Sequence, residues 1–88
     1  MEKQNFTIIN KLGLHARAAA LFVQTASKYE SEVVVSKDGE EVSGKSIMGI
    51  LMLAAAQGSE IEVTISGRDA DVAMEALGQL IKNGFGEL

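Results

Sequence analysis

The stretch Glu60-Ile61-Glu62-Val63-Thr64-Ile65-Ser66 alternates strictly between polar and apolar side chains. Successive side chains of a strand point to opposite faces of the sheet, so this pattern predicts a strand that is buried on one face and solvated on the other. The apolar face of such a strand must be covered by helices or by a second sheet. The segments on either side of residues 60–66 therefore decide the architecture.

Three other segments favour strands. Residues 4–9 place Phe6 and Ile8 on one face, and residues 31–37 are rich in β-branched side chains. Asp38-Gly39 is typical of a hairpin turn, after which residues 40–43 predict a short return strand.

Three segments have helical spacing. The first is residues 16–28, and the second is residues 47–53, with Ser46 as its predicted N-cap. The third begins after Asp69, its predicted N-cap, and ends near Asn83-Gly84. The predicted apolar stripe of the first helix is Ala19, Phe22, Val23 and Ala26. That of the last helix is Val72, Ala73, Ala76, Leu77, Leu80 and Ile81. The order β-α-β-β-α-β-α predicts an α+β fold, a two-layer open-faced sandwich in which a four-stranded antiparallel sheet carries three helices on one face.

A chain of 88 residues suits one domain, so we expect residues 1–88 to fold as a single unit. It contains no cysteine and one histidine, which excludes a disulfide framework and a thiolate or polyhistidine metal site, and no cofactor is expected. The longest apolar runs are too short for a membrane span, and the first residues lack the plan of a signal peptide. We therefore expect a cytoplasmic protein without membrane insertion.

The net charge of −4 argues against a nucleic-acid partner, because phosphate contacts need clustered lysine and arginine. The charge is unevenly distributed, with a net +3 in residues 1–29 and a net −7 in residues 30–88. The only histidine, His15, lies in the positive segment, where an anion is tolerated best.

His15 stands where the helical pattern begins, so the backbone amides of Ala16 and Arg17 are expected to have no intrahelical partner. These amides and the Arg17 guanidinium could hold a phosphate. The positive helix end disfavours the imidazolium, and no acidic residue lies nearby in sequence to pair with His15 or Arg17. Nucleophilic phosphoryl transfer to His15 is chemistry that this arrangement could support. The alternative is a plain polar helix cap, which is the more common role of an isolated histidine.

Residues 39–46, Gly39-Glu40-Glu41-Val42-Ser43-Gly44-Lys45-Ser46, satisfy the pattern of a nucleotide-binding P-loop. Three observations argue against that interpretation. The Asp38-Gly39 turn uses part of the segment, Glu40 and Glu41 would face the phosphates, and the chain is too short for a doubly wound sheet.

The motif Gly13-Leu14-His15-Ala16-Arg17 resembles the active-site motif of the HPr family, the histidine-containing phosphocarriers of the bacterial phosphoenolpyruvate-dependent phosphotransferase system. Chain length, element order and Ser46-Ile47-Met48-Gly49 are similar as well. The resemblance implies that His15 accepts a phosphoryl group from enzyme I and passes it to an enzyme IIA domain, with Arg17 assisting at the phosphorylated ring. It implies a stoichiometric carrier and not an enzyme, and we expect a monomer. The alternative is a regulatory or interaction domain of the same fold that carries no chemistry.

The resemblance also implies regulatory phosphorylation of Ser46 by HPr kinase/phosphorylase, and a docking face for enzyme I and enzyme IIA. The docking residues that it implies are Ala16, Ala20, Ile47, Met48 and Leu51. Ala18 departs from the family, which usually has proline there; alanine preserves the helix, so the difference bears on how rigidly the site is held. The sequence leaves open whether such a kinase acts on this chain, and whether the chain serves sugar uptake or the nitrogen-related branch.

Overall fold

The computed structural model describes residues 1–87; Leu88, the last residue of the predicted domain, lies outside the described residues. In chain order the elements are β1 (Glu2–Thr7), α1 (Ala16–Ala26), β2 (Glu32–Lys37), β3 (Glu40–Ser43), α2 (Ile47–Met52), β4 (Glu60–Ser66) and α3 (Ala70–Lys82). A 3₁₀ turn, Gly84–Gly86, follows α3. The predicted order of strands and helices is confirmed.

The four strands form one antiparallel sheet in the order β1-β4-β2-β3, with β4 paired on both sides. The inward side chains of β4 face apolar partners, since Ile61 lies opposite Phe6 and Ile65 lies opposite Val33. These side chains are buried together with those of the three helices in one core. The other sheet face carries polar side chains such as Thr64, so the predicted open-faced α+β sandwich is confirmed.

The first strand begins and ends two residues earlier than predicted. Glu2 is already paired with Ile65, and the ladder with β4 ends at Thr7 opposite Glu60. Ile8 leaves the ladder but stays buried, and its backbone bonds to Ser59 and Gly58 in the loop before β4. The burial of Phe6 and Ile8 follows the predicted alternation.

The stripe predicted for α3 is wrong at Val72, which is 51% exposed. The buried face of α3 is centred on Ala73, Leu77 and Ile81, and it includes Met74 and Gly78 in place of Val72. Gly78 permits this orientation because a Cβ there would lie 3.2 Å from Cε1 of Phe6. The helix is therefore rotated toward β1. The stripe predicted for α1 is confirmed at Ala19, Phe22 and Ala26, while Val23 is half-buried and Ala18 is buried.

The prediction that the Asp69 side chain caps α3 is wrong. Asp69 occupies the N-cap position, but its carboxylate accepts hydrogen bonds from the backbone N–H groups of Glu30 and Ser31, both at 3.0 Å, and from the Ser31 hydroxyl. These bonds, the one from the Ser31 hydroxyl first, hold the pKa of Asp69 below its ordinary value. The carboxylate thus joins the start of α3 to the turn between α1 and β2.

The segment that matches the P-loop pattern is a hairpin. Asp38 and Gly39 have φ of 52° and 84°, as a two-residue hairpin turn requires, and Lys37 is paired with Glu40 directly after it. Because residues 40–43 form β3, they cannot wrap a phosphate, and the nucleotide-binding alternative is excluded.

Candidate active site

The turn before α1 sets the position of His15. Gly13 has φ of +66°, which a residue with a side chain rarely adopts, and its N–H donates to the Asn10 carbonyl at 3.1 Å. The next N–H, that of the buried Leu14, donates to the Ala55 carbonyl at 2.9 Å. The chain therefore enters α1 along a path fixed by the loop that follows α2.

His15 is the N-cap residue of α1, as its place in the sequence predicts. Its backbone is extended, and its carbonyl accepts the first bond of the helix from the Ala19 N–H at 2.8 Å. The helix receives no side-chain cap from residues 1–87. The first-turn amides of Ala16 and Arg17 thus lie beside an imidazole that is itself half-buried.

The sequence around His15 contains no acidic partner, and the fold supplies one from a distant part of the chain. Nε2 of His15 contacts Oε2 of Glu87, a residue 72 positions later in the chain. The other carboxylate oxygen, Oε1, accepts a hydrogen bond of 3.0 Å from Nδ2 of Asn10. The same amide nitrogen donates to the Gly13 carbonyl at 2.8 Å. Asn10, Glu87 and His15 therefore form a connected polar cluster at the start of α1.

Glu87 carries a negative charge at neutral pH. Its pKa is lowered by the hydrogen bond from Asn10 first and then by the bond from His15, while partial desolvation acts in the opposite direction. The positive charges of a protonated His15 and of Arg17 lower the pKa further. The ring nitrogen Nε2 accordingly faces a carboxylate, and Nδ1 is the ring nitrogen without a hydrogen-bond partner among residues 1–87.

A strained turn brings Glu87 to the site. Gly84, Phe85 and Gly86 have φ of 59°, 56° and 76°, and the side chain of Phe85 is buried in the core. A positive φ is costly for phenylalanine, and the burial of its ring offsets that cost. The two glycines of Gly84-Phe85-Gly86 are the sequence signal that could have revealed the turn, because glycine supplies the positive φ values that turns require.

An open cleft of about 460 Å³ lies against this cluster. It is lined by Lys11, Leu12, Arg17, Gly86 and Glu87. Two of its side chains are cations, as an anion-binding cleft requires. A second hollow, of about 450 Å³, is lined by Asp38, Glu60 and Glu62 together with Lys37 and does not suit an anion.

Ser46 caps α2 as predicted, since its hydroxyl oxygen accepts a hydrogen bond of 3.0 Å from the Gly49 N–H. Gly49 also lies close to β3, where a Cβ would be 3.1 Å from Cβ of Val42. The neighbouring Lys45 is directed away from the cap, because its ammonium group donates to the Tyr29 carbonyl at 2.7 Å.

The residues expected to dock partners lie on α1 and α2, which pack against each other. Ala16, Ile47 and Met48 are exposed, Met48 by 69%. Ala20 and Leu51 are half-buried, and Leu51 packs against the core. Two further apolar side chains that the sequence reasoning did not include, Leu12 and Met52, are also exposed.

Residues 1–87 contain no cluster of three or more His, Cys, Asp or Glu side chains with the arrangement of a metal site. Over the same residues, none of the helices has both the length and the apolar character needed to cross a membrane.

Comparison with known proteins identifies the family. Residues 2–83 match the family model described as "PTS HPr component phosphorylation site", so the match ends before Glu87. "Phosphocarrier protein HPr" of Neisseria meningitidis serogroup A is 58% identical over 99% of this chain and 98% of its own. A crystal structure of HPr-C-His from Thermoanaerobacter tengcongensis superposes with a TM-score of 0.97 at 49% identity, covering 100% of this chain and 99% of that one. A structure described as an HPr dimer from the same organism has a TM-score of 0.80 at 49% identity and covers 99% of this chain and 100% of that one. The chain therefore belongs to the HPr family, the phosphocarriers of the phosphotransferase system, whose members carry a phosphoryl group and are not catalysts.

Proposed function

We propose that His15 is the residue that carries the phosphoryl group, which it accepts from phosphorylated enzyme I and passes to an enzyme IIA domain. One observation supports this most directly. His15 occupies the uncapped N-terminus of α1 and its Nε2 is held by Glu87, so Nδ1 is the ring nitrogen without a hydrogen-bond partner among residues 1–87.

His15 is the only nucleophile that the step requires from this chain. The lone pair of Nδ1 attacks the phosphorus of the donor, and the N–P bond forms as the bond to the leaving group of enzyme I breaks. The phosphoryl oxygens can then accept hydrogen bonds from the amides of Ala16 and Arg17 and from the Arg17 guanidinium. Transfer to enzyme IIA is the same displacement at phosphorus, with His15 as the leaving group.

The experiment is to incubate the chain with phosphoenolpyruvate, Mg²⁺ and enzyme I and to measure one acid-labile phosphoryl group per chain. We expect none in His15→Ala. Removing one donor to a charged transition state commonly slows a reaction by about 10²-fold or more, so Arg17→Ala should accept the group much more slowly. Arg68→Ala is the matched control, since Arg68 is exposed and pairs with Glu30 at 2.8 Å. Failure of the wild-type chain with its cognate enzyme I would favour the interaction domain without chemistry.

Ser46 is proposed as a second, regulatory phosphorylation site, the substrate of an HPr kinase/phosphorylase. A phosphate at a helix N-terminus is locally favourable by about 0.3–1 kcal/mol when exposed, and it would add negative charge beside the docking residues of α2. Ser46→Asp should keep the fold and slow the phosphorylation of His15. Ser66→Asp adds the same charge at the exposed end of β4 and should not slow it. Equal transfer rates in the two variants would contradict the proposal, and the kinase product should be acid-stable.

Ala16, Ala20, Ile47, Met48 and Leu51 are proposed as the docking face for enzyme I and enzyme IIA. The supporting observation is that large apolar side chains remain exposed on α2 next to α1. Met48→Glu should weaken binding of enzyme I by about tenfold or more, which corresponds to about 1.4 kcal/mol. Val72→Glu is the matched control, because Val72 is an exposed apolar side chain on α3. Similar affinities of both variants in a calorimetric titration would exclude Met48 from the interface.

Residues 1–88 are proposed to act as a single, monomeric domain in the cytoplasm, with no nucleic-acid partner and no membrane insertion. Light scattering tests the monomer against a mass of 9.3 kDa. Transfer of the phosphoryl group to enzyme IIA domains of the sugar and nitrogen-related types, assayed in parallel, would assign the branch.

A further inference from the structure

We infer that Glu87 and Asn10 form a positioning pair for His15, in which Glu87 holds the proton on Nε2 and Asn10 holds Glu87. The inference rests on the proposed function of His15, and it concerns how the ring is prepared for both acceptance and release of the phosphoryl group.

The orientation of the Asn10 amide is set by its partners. Both the Gly13 carbonyl and Oε1 of Glu87 accept hydrogen bonds, so the amide nitrogen must face both of them. The amide oxygen then has no partner among residues 1–87, although Asn10 is completely buried. An unpaired buried acceptor is destabilising, and an apolar residue would avoid it. What Asn10 contributes in return is the bridge between the turn before His15 and the carboxylate that contacts the ring.

Glu87 determines which ring nitrogen is the nucleophile. An ionised carboxylate only accepts hydrogen bonds, so Nε2 must carry the proton that lies between them. In the neutral ring the other nitrogen, Nδ1, then carries the lone pair. Without Glu87 the proton would be shared between the two nitrogens, and only part of the molecules would have the reactive form.

The same carboxylate stabilises charge during the transfer. When Nδ1 bonds to phosphorus, the ring keeps its Nε2 proton and becomes positively charged beside the Glu87 carboxylate. When the N–P bond breaks toward the next acceptor, the electron pair returns to Nδ1 and the ring is neutral again. The negative charge of Glu87 also repels the phosphoryl oxygens, but Lys11 and Arg17 line the same cleft and offset this repulsion.

The test combines ring NMR with transfer rates. In chain labelled with ¹⁵N-histidine, the His15 ring at pH 8 should show a protonated Nε2 and an unprotonated Nδ1. In Glu87→Ala the ¹⁵N shifts of Nδ1 and Nε2 should move toward the values of mixed tautomers. Acceptance of the phosphoryl group from enzyme I should slow by about tenfold, as is usual when the group that orients a functional histidine is removed. Glu87→Gln offers a single acceptor oxygen to two donors, Nδ2 of Asn10 and Nε2 of His15, so it should also give mixed tautomers and slow transfer. Glu75→Gln, on the exposed face of α3, should change neither.

In Asn10→Ala the ring ¹⁵N shifts and the rate of acceptance from enzyme I should change in the same direction as in Glu87→Ala, but by less. The urea unfolding curve of Asn10→Ala establishes that this variant is folded. Wild-type shifts or a wild-type transfer rate in Glu87→Ala would overturn the inference. That result leaves the proposed function intact, because the proposed function fails only if the wild-type chain does not accept the phosphoryl group from its cognate enzyme I or if His15→Ala still accepts it.

Discussion

Substitution of Gly13 tests whether the turn before α1 holds the site in place. A Cβ at Gly13 would lie 2.5 Å from the Ala55 carbonyl oxygen and 2.9 Å from Cα of Ala56, both of them backbone atoms. That carbonyl oxygen accepts the hydrogen bond of the buried Leu14 N–H. In Gly13→Ala the two loops must therefore separate, and the Leu14 bond is stretched or lost.

The size of the effect follows from comparison with Gly39→Ala. Gly39 also has a positive φ, of +84°, but a Cβ there meets no atom within 4 Å. Both variants incur the left-handed backbone cost of about 1–2 kcal/mol, and both reduce the entropy of the unfolded chain by a similar amount. Only Gly13→Ala loses a buried backbone hydrogen bond, which costs about 1–3 kcal/mol. We expect Gly13→Ala to be about 2 kcal/mol less stable than Gly39→Ala.

The assay is urea unfolding of both variants, followed by far-ultraviolet circular dichroism and supported by thermal melts. A difference of about 2 kcal/mol corresponds to a melting temperature about 8–16 °C lower for Gly13→Ala in a domain of this size. The folded fraction of Gly13→Ala should also accept the phosphoryl group more slowly, because Gly13 is two residues before His15. Equal stability of the two variants, within about 0.5 kcal/mol, would refute the argument that contact with the Ala55 carbonyl sets this turn.

Three further predictions concern other parts of the molecule. Ser46→Ala removes the oxygen that accepts the hydrogen bond from the Gly49 N–H, and should lower the free energy of unfolding in urea by about 1 kcal/mol. Ser46→Asn keeps a capping oxygen and should retain most of the wild-type stability. Phe85→Ala removes a buried ring and should lower the free energy of unfolding by about 3 kcal/mol. It should also release Glu87 from His15, and the ¹⁵N shifts of the His15 ring would report this. Wild-type shifts in this variant would contradict the role of Phe85 as an anchor. The pKa values of Asp69 and Glu87 in the folded protein lie below their ordinary values of 3.8 and 4.5. Each carboxylate therefore contributes its full stabilisation above its ordinary pKa and loses it as the pH falls through its pKa in the folded protein. Urea midpoints between pH 7 and pH 2 should therefore decrease in acid, and less steeply in a double variant with alanine at both positions.

The elements of the fold could be predicted from sequence because their causes lie within a few residues. The alternation of residues 60–66, the turn at Asp38-Gly39 and the cap at Ser46 act over one strand, one turn and one helix start. His15 could be placed at a helix N-terminus for the same reason.

The contacts that could not be predicted join residues far apart in the chain. Asp69 bonds to a turn 38 residues earlier instead of capping its own helix, and Glu87 reaches His15 from 72 residues away. No local pattern reports such pairs, because they depend on how the elements pack. The exposure of Val72 has the same origin, since helical periodicity defines an apolar stripe but not the rotation of α3 against Phe6.

The central position of β4 has a consequence for how the chain folds during synthesis. β1 and the β2–β3 hairpin do not pair with each other, and both depend on β4 for their place in the sheet. Until residue 66 has been made, the nascent chain holds a hairpin and a first strand that have no strand between them, so the sheet cannot be completed. Pairing of β1 with β4 then closes a loop of more than fifty residues, from Thr7 to Glu60. Such distant pairing is slow compared with local hairpin formation, so the native sheet is completed after the β2–β3 hairpin has formed.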